Sequence, residues 1–464
     1  MVYRLEVNRF IMWHVFRKVT QYLLEAPVYY SALGLMALLK CLPNRLLFPL
    51  SRLAGSIAFY CIPDYRKTAL TNLALAFPRK TFQERRSLAK QSLQHLMLTG
   101  LELLTMEKIV KKIEKIITIA QDPKNPPEGF LPEEVLSPEE IKETFQQLDQ
   151  QQGVILFCGH QANWELPFLY ITKDYPGLAL AKSIKNQKLN KKIFSLREIY
   201  KGKIVGPKQG IHHAIKTLKQ GHLVGIVGDQ ALLMSSYSYP LFGECAFTTT
   251  SPALLAYKTG APVLAISVYR RSQDYLVIPS KKFYADKSLP MKEATSQLMD
   301  KLMGFLEKGI ACKPEQWLWV HKRWKRKLSP QLKKKYRYSH ILVIVSGTLL
   351  YKYHSFLSSL GQKFSGASLT LAVFTPNIHK ICIDSSLSCY KILPLKSYHD
   401  LLEVPNSFVA VFDLKNCPKS MHKHFKKTGS LHTYTENSLK EQLPNQEDSL
   451  EVSLERFFKK SHAN

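Results

Sequence analysis

The chain is short of acidic residues and has neither a long uninterrupted apolar run nor a paired set of cysteines. Its 464 residues carry 36 Asp and Glu against 65 Lys and Arg, a formal net charge of +29. An excess of that size calls for an anionic partner: nucleic acid, an anionic membrane surface or an acidic substrate. No zinc-finger, RRM or KH signature is present, so nucleic acid is not the expected partner. The eight cysteines, at 41, 61, 158, 245, 312, 382, 389 and 417, form no C-x-x-C pair and no zinc spacing. That scatter fits reduced thiols in the cytoplasm, and no metal is expected. The apolar runs Ala26 to Leu39 and Leu46 to Ile62, the second broken by Arg52, fall short of the ~18–20 clean apolar residues of a membrane span. No small-residue cleavage site follows a short apolar core, so a removed signal peptide is not expected.

What remains is a folded protein. At 45% hydrophobic and 22% charged, the chain is long enough for two or three domains with sizeable cores. Residues 22 to 62 are rich in Leu, Tyr, Phe and Ala and are punctuated by Lys40, Arg45 and Arg52, with Arg17 and Lys18 ahead of them. Residues 1–62 therefore read as an interfacial or marginally spanning anchor, the alternative being a pair of buried core helices. Ser137-Pro-Glu-Glu opens a helix running to Gln152. Strand-like runs then recur at Gly153 to Cys158, Gly177 to Ala181, Leu223 to Val227, Val263 to Tyr269 and Tyr275 to Ile278. Helix-like stretches at Leu166 to Lys173, Lys188 to Tyr200, Gly210 to Lys219 and Ser251 to Lys258 separate them. The alternation predicts an α/β fold, a sheet layered by helices with ligands gathering beyond the carboxyl ends of its strands.

His160 and Glu165 stand at one such end. Five positions at about 100° each leave two side chains roughly 140° apart on a continuous helix, so a break must separate them. Gly159 frees the backbone to turn and Pro167 fits the first turn of the following helix, which puts His160 on the turn and Glu165 at the helix entrance. There the macrodipole favours an ionised carboxylate, and a carboxylate bonded to one imidazole nitrogen leaves the other to accept a proton. The pair suits a general base and its orienting acid. Cys158, inside the strand pattern, is assigned no chemistry. Asp229, after the strand Leu223 to Val227, either caps the next turn or fixes a basic side chain or a substrate hydroxyl, and Gln230 offers a donor to a developing oxyanion.

Read with its neighbours, Gly159-His-Gln-Ala-Asn-Trp-Glu165 resembles the signature of the lipid A biosynthesis acyltransferases, the late enzymes that add secondary acyl chains to a glycolipid precursor. Further blocks follow in order: Arg66 with Asn72-Leu73 and Phe77-Pro78; Arg197 followed by Gly202; Gly228-Asp-Gln230; Phe242-Gly243 with Thr250-Ser-Pro-Ala253; and Pro314-Glu-Gln-Trp-Leu-Trp-Val-His-Lys-Arg323. Gln161 stands where an aromatic or small residue is more usual, and Ala181-Lys-Ser183 replaces an aromatic-Arg step. The resemblance covers residues 1 to about 330. It implies an acyltransferase domain over 63–330 with a mixed sheet like that of glycerol-phosphate acyltransferases. It implies catalysis by His160 and Glu165, with Asn163, Lys182, Arg197, Asp229 and Gln230 binding substrate, Arg197 on a phosphate. It further implies acyl carrier protein as donor and co-substrate, no other cofactor, a phosphorylated glycolipid as acceptor, and a place on the cytoplasmic face of the inner membrane. A glycerol-phosphate acyltransferase shares the dyad logic but usually carries Asp in place of Glu165. A non-enzymatic basic membrane-binding protein accounts for the charge and the N-terminus alone.

From Lys313 to Arg337 ten Lys or Arg accompany one acidic residue, Glu315, and Trp317, Trp319 and Trp324 interleave with them. That pattern reads as a basic, headgroup-level rim at a membrane interface. Beyond it the resemblance stops. Strand-like runs at Ile341 to Val345, Leu369 to Phe374 and Phe408 to Phe412 predict a small α/β appendage over 338–464, and Ser346-Gly-Thr348 is a weak candidate phosphate turn.

Overall fold

A computed structural model describes residues 26–454, apart from 121, 123–125, 233, 273, 325–339, 365–366, 377–384, 404–407, 409, 429, 431, 442 and 444–447. The readings above for residues 1–25 and for the basic run after Trp324 lie outside the described residues. The strands in chain order are β1 (Ile117–Ile119), β2 (Val154–Cys158), β3 (Gly177–Leu180), β4 (Gly202–Val205), β5 (Leu223–Val227), β6 (Ser238–Leu241) and β7 (Glu244–Phe247). They continue with β8 (Val263–Arg270), β9 (Tyr275–Pro279), β10 (His340–Ser346), β11 (Ser368–Phe374), β12 (Tyr390–Leu395), β13 (Ala410–Asp413) and β14 (His432–Thr435). The chain forms two compact units that do not follow its linear order. The first holds residues up to Gly55 with Gln94–Gly228 and Thr250–Trp317; the second holds Ser56–Leu93, Asp229–Thr249 and the residues from Leu318 onward.

The first unit is built on a seven-stranded mixed sheet, β1-β9-β8-β2-β5-β3-β4. Only β9 is antiparallel to a neighbour, β8, because four residues join the two as a hairpin; the other pairs are parallel. Strands covered on both faces must be apolar throughout, and Val154 to Phe157 of β2 and Val263 to Tyr269 of β8 are buried without interruption. The helix Pro138–Asp149 starts where the sequence predicts, with a capping box in which Ser137 Oγ accepts from Glu140 N and Glu140 Oε2 accepts from Ser137 N. The helix Leu166–Thr172 sits directly on the sheet through Phe168. A carbon added at Gly225 of β5 would lie 2.9 Å from the Phe168 ring, and one at Gly202 of β4 2.8 Å from it. These two glycines seat the helix that Glu165 begins.

Two helices precede the sheet, Ala26–Cys41 and Asn44–Cys61. Met36, Leu39 and Leu47 face inward, while Val28, Leu35, Leu38, Phe48, Leu53 and Ile57 are exposed. Among the described residues no single helix is long and apolar enough to cross a membrane.

The second unit carries a five-stranded parallel sheet, β12-β11-β10-β13-β14. Chain order runs outward from β10 in one direction and then, from β13, in the other, which places crossover helices on both faces. One apolar core packs Phe356, Leu357 and Leu360 of the helix His354–Lys363 against Val343, Leu371 and Phe412; a second packs Leu401, Met421 and Phe425 against Leu342, Ile344 and Val411. The unit also holds the β6–β7 hairpin, whose two-residue turn takes positive φ at both Phe242 (52°) and Gly243 (80°). The strain at Phe242 is offset by its ring, which packs 5.1 Å from Phe77 and 6.4 Å from Trp319.

The tryptophans require a correction. Trp317, Trp319 and Trp324 are only 3%, 0% and 1% exposed, so they are core residues and not a headgroup-level rim. Trp319 and Trp324 stack 6.4 Å apart at 18°, and Trp324 donates its indole N–H to Glu244 O. Their charged neighbour Arg323 is buried with them, donating to Phe247 O and to Thr248 Oγ1.

Candidate active site

The strand β2 ends at Cys158, and the next seven residues make the turn the spacing demanded. Gln161 N donates to Gly159 O, Ala162 takes the left-handed conformation at φ 48°, and Glu165 is the N-cap of Leu166–Thr172 with Pro167 in its first turn. A non-glycine residue at positive φ must be held there by its surroundings. Ala162 N donates to Gln316 O at 2.8 Å, and Ala162 O accepts from Thr99 Oγ1 at 2.7 Å. Gln161 Nε2 reaches Gly309 O at 2.8 Å, and an isolated antiparallel bridge joins Gln161 to Trp317. Asn163, fully buried, donates to Glu102 Oε2 at 3.0 Å while its own Oδ1 accepts from Glu165 N at 3.3 Å. The turn is clamped at nearly every residue.

His160 is half-buried at the middle of this turn, its ring 4.7 Å from that of Trp164 and inclined at 62°. The Glu165 carboxylate is held by Arg197, Nη2 to Oε1 at 2.5 Å, with both side chains mostly buried. Arg197 closes the helix Gln187–Arg197, so the pair ties the entrance of one helix to the exit of another. Arg197 Nε is buried without a hydrogen-bond partner. Lys182 is exposed, two residues beyond the carboxyl end of β3.

Behind the turn lies a charge network that sequence spacing did not reveal. Glu102 Oε2 also accepts from Arg270 Nη2 at 2.7 Å, and Glu102 Oε1 accepts from the Tyr275 hydroxyl. Arg270 Nε donates to the Tyr275 oxygen, its Nη2 to Thr99 Oγ1, and its Nη1 lies 3.0 Å from His95 Nδ1. Gln316 anchors the Arg270 backbone from both sides, accepting from its N–H and donating to its carbonyl. Burial lowers the affinity of Arg270 for its proton, but Glu102 and Tyr275 outweigh it and hold the guanidinium firmly charged. Burial, reinforced by Arg270, pushes His95 down to about 4, so at neutral pH it is an uncharged acceptor. Burial and then the Glu102 charge push the Tyr275 hydroxyl well up. A cavity of about 800 Å³ opens beside this network, lined by Arg45, Phe48, His95, Glu102, Arg270 and Tyr275 among others. It offers both guanidinium and apolar wall. The only sequence signal for the network was a lone carboxylate in the apolar stretch Leu98 to Leu104 and a lone guanidinium closing β8.

The description bacterial lipid A biosynthesis acyltransferase fits residues 17–326. The chain belongs to this family. It is 25% identical over 304 residues, 63% of this chain and 90% of the relative, to the lipid A biosynthesis lauroyltransferase of Escherichia coli strain K12. Over 197 residues, 41% of this chain and 63% of the relative, it is 20% identical to the phosphatidylinositol mannoside acyltransferase of Mycolicibacterium smegmatis. As a member of the family it is an acyltransferase.

Of the remaining blocks of the acyltransferase, Arg66 to Pro78, Asp229-Gln230, Phe242-Gly243 and Leu318 to Arg323 lie in its second unit, and Thr250-Ser-Pro-Ala253 and Pro314 to Trp317 in its first. Asn72 Nδ2 donates to Trp319 O at 2.7 Å and His321 O at 2.6 Å, and Ala231 N donates to His321 Nε2 at 3.1 Å. Asp229 is buried there and Gln230 exposed. Burial lowers Arg323 to about 10, with the nearby Asp229 charge opposing the shift. Among the described residues no group of three or more His, Cys, Asp or Glu is arranged to hold a metal ion.

Proposed function

We propose that this acyltransferase moves a fatty acyl chain from acyl carrier protein to a hydroxyl of a phosphorylated lipid A precursor at the inner membrane. His160 acts as general base. It takes the proton of the acceptor hydroxyl as that oxygen attacks the thioester carbonyl; the resulting oxyanion collapses, the C–S bond breaks, and the proton leaves with the thiol. Glu165 orients the imidazole and Arg197 fixes Glu165. The unpartnered Arg197 Nε and the exposed Lys182 are the proposed substrate contacts of the first unit, where Asn163 serves them by holding the turn; Asp229 and Gln230 are the proposed substrate residues of the second. The single observation that carries the reading is the clamped turn, in which the left-handed Ala162 and the buried Asn163 fix the segment between His160 and Glu165. Such strain, maintained by this many partners, marks a place where position matters more than stability. Arg45 and the apolar wall of the 800 Å³ cavity suit an amphiphilic anion, the cavity's Arg270 and Arg271 being paired with Glu102 and Asp274.

The exposed apolar face of Ala26–Cys41 and Asn44–Cys61 supports a membrane-surface location, since contiguous apolar side chains next to Arg45 and Arg52 match an interfacial helix. Mass spectrometry of the lipid formed from a defined precursor and a panel of acyl-carrier-protein thioesters tests the proposal. A mass increase equal to one acyl chain is expected, and its size gives the chain length. An unchanged precursor with every donor would end it.

A further inference from the structure

The chain beyond the family match contributes a face to the part that carries the family's own motifs. The helix Lys419–Thr428 packs against Pro63–Ala76 within the second unit. Lys427 Nζ lies 6.0 Å from the ring centre of Phe82, at the start of the helix Phe82–Leu104, and His424 nearby is lowered by burial and by the charges of Lys427 and Arg85. Met421 and Phe425 point inward, leaving Lys419, Lys423, Lys426 and Lys427 exposed as a stripe at i, i+4, i+7 and i+8 with no acidic residue in the helix. Among the described residues none of these four lysines is ion-paired to a carboxylate. On the helix Phe82–Leu104, Arg86 lies 5.6 Å from the Phe59 ring centre and Lys90 5.8 Å from that of Tyr60, both half-buried, and Arg79 precedes the helix.

We infer that this face, shared between the C-terminal segment and the helix Phe82–Leu104, docks a small acidic protein. The inference rests on the proposed reaction, in which an acidic acyl carrier is the donor. An anionic membrane is the other surface such charge attracts, and the two differ in what they need. An interfacial helix inserts apolar side chains beside its cations. Among the described residues no large apolar side chain of the helix Lys419–Thr428 is exposed, whereas the N-terminal helices expose many, Tyr60 among them. The lysine stripe of Lys419–Thr428, free of acidic residues, steers a protein of opposite charge, raising the association rate without requiring insertion.

The test measures binding of purified acyl carrier protein to the full chain by fluorescence anisotropy at low and high ionic strength. Replacing the four lysines by glutamine (K419Q, K423Q, K426Q and K427Q together) is expected to weaken binding about tenfold at low salt, with the difference vanishing near ~0.5 M. The same four changed to arginine should bind as the unmodified chain does, which separates lost charge from lost folding; R86Q with K90Q should weaken binding as well. Equal binding by the glutamine variant would overturn the docking face. So would a variant that keeps carrier binding but no longer binds phosphatidylglycerol vesicles. If the unmodified chain transfers no acyl group yet shows lysine-dependent binding, the proposed reaction fails and the docking face stands. If transfer proceeds with the same KM for the carrier in the variant, the reverse holds.

Discussion

Changing Glu102 to Gln preserves shape and removes one charge, and the structure says what that leaves behind. The Arg270 side chain is 6% exposed and that of Glu102 10%, so the guanidinium would lose the one carboxylate paired with it among the described residues. Breaking a buried pair in this way costs about 3–5 kcal/mol, far more than an exposed pair would. For a unit of this size that is a fall of about 6–20 °C in thermal midpoint. The same carboxylate accepts from Asn163, so the His160 turn should loosen too, with higher amide exchange across residues 159–166 and lower kcat at nearly constant KM. The control is the double variant with Arg270→Met, which removes the stranded charge. It should regain a large part of the stability and part of the kcat, because the remaining amide oxygen is then free to accept from Asn163. Glu102→Gln with an unchanged midpoint and unchanged exchange would refute the claim that this network holds the turn.

Arg197→Ala should reduce kcat by about ten- to a hundredfold, the equivalent of a charge-assisted hydrogen bond worth ~1.5–3 kcal/mol, and Arg197→Lys should recover part of it; steady-state kinetics decides. His95 has a folded pKa near 4, below its unfolded value of about 6.5, so the unfolded chain binds more protons between those values. Its contribution to stability is complete above about pH 6.5 and is lost as the pH falls toward 4, by up to roughly 3 kcal/mol. A pH series of thermal midpoints should show that acid loss, and His95→Gln should flatten it. Gly225→Ala drives a methyl group into Phe168 and should destabilise the first unit by about 1–3 kcal/mol, read as a lower midpoint.

The parts of the fold that the sequence revealed are those where local pattern and tertiary environment agree. β2, β5, β8, β10 and β11 are near-continuous apolar runs buried on both faces, and each falls where its run predicts. β1 is three residues after a charged helix, β4 is Gly-Lys-Ile-Val at a sheet edge, and β6 and β7 are a polar hairpin whose turn needs a phenylalanine at positive φ. None of these has a pattern of its own. The tryptophan block misled for a related reason: alternation with lysine and arginine resembles an interface, yet the rings stack inward. The turn at His160 was legible because Gly159 and Pro167 bracket it. Its supports were not, since Glu102, on the helix Phe82–Leu104, and Arg270, at the end of β8, are 168 residues apart and meet only in the folded unit.

The most direct measurement is single-turnover acyl transfer by His160→Ala, with a defined lipid precursor and an acyl-carrier-protein thioester, in a variant shown to keep the parent's thermal midpoint. A general base contributes about 10²–10⁴-fold. The account predicts a rate lower by at least that factor while carrier binding is unchanged; a rate within tenfold of the parent would contradict it.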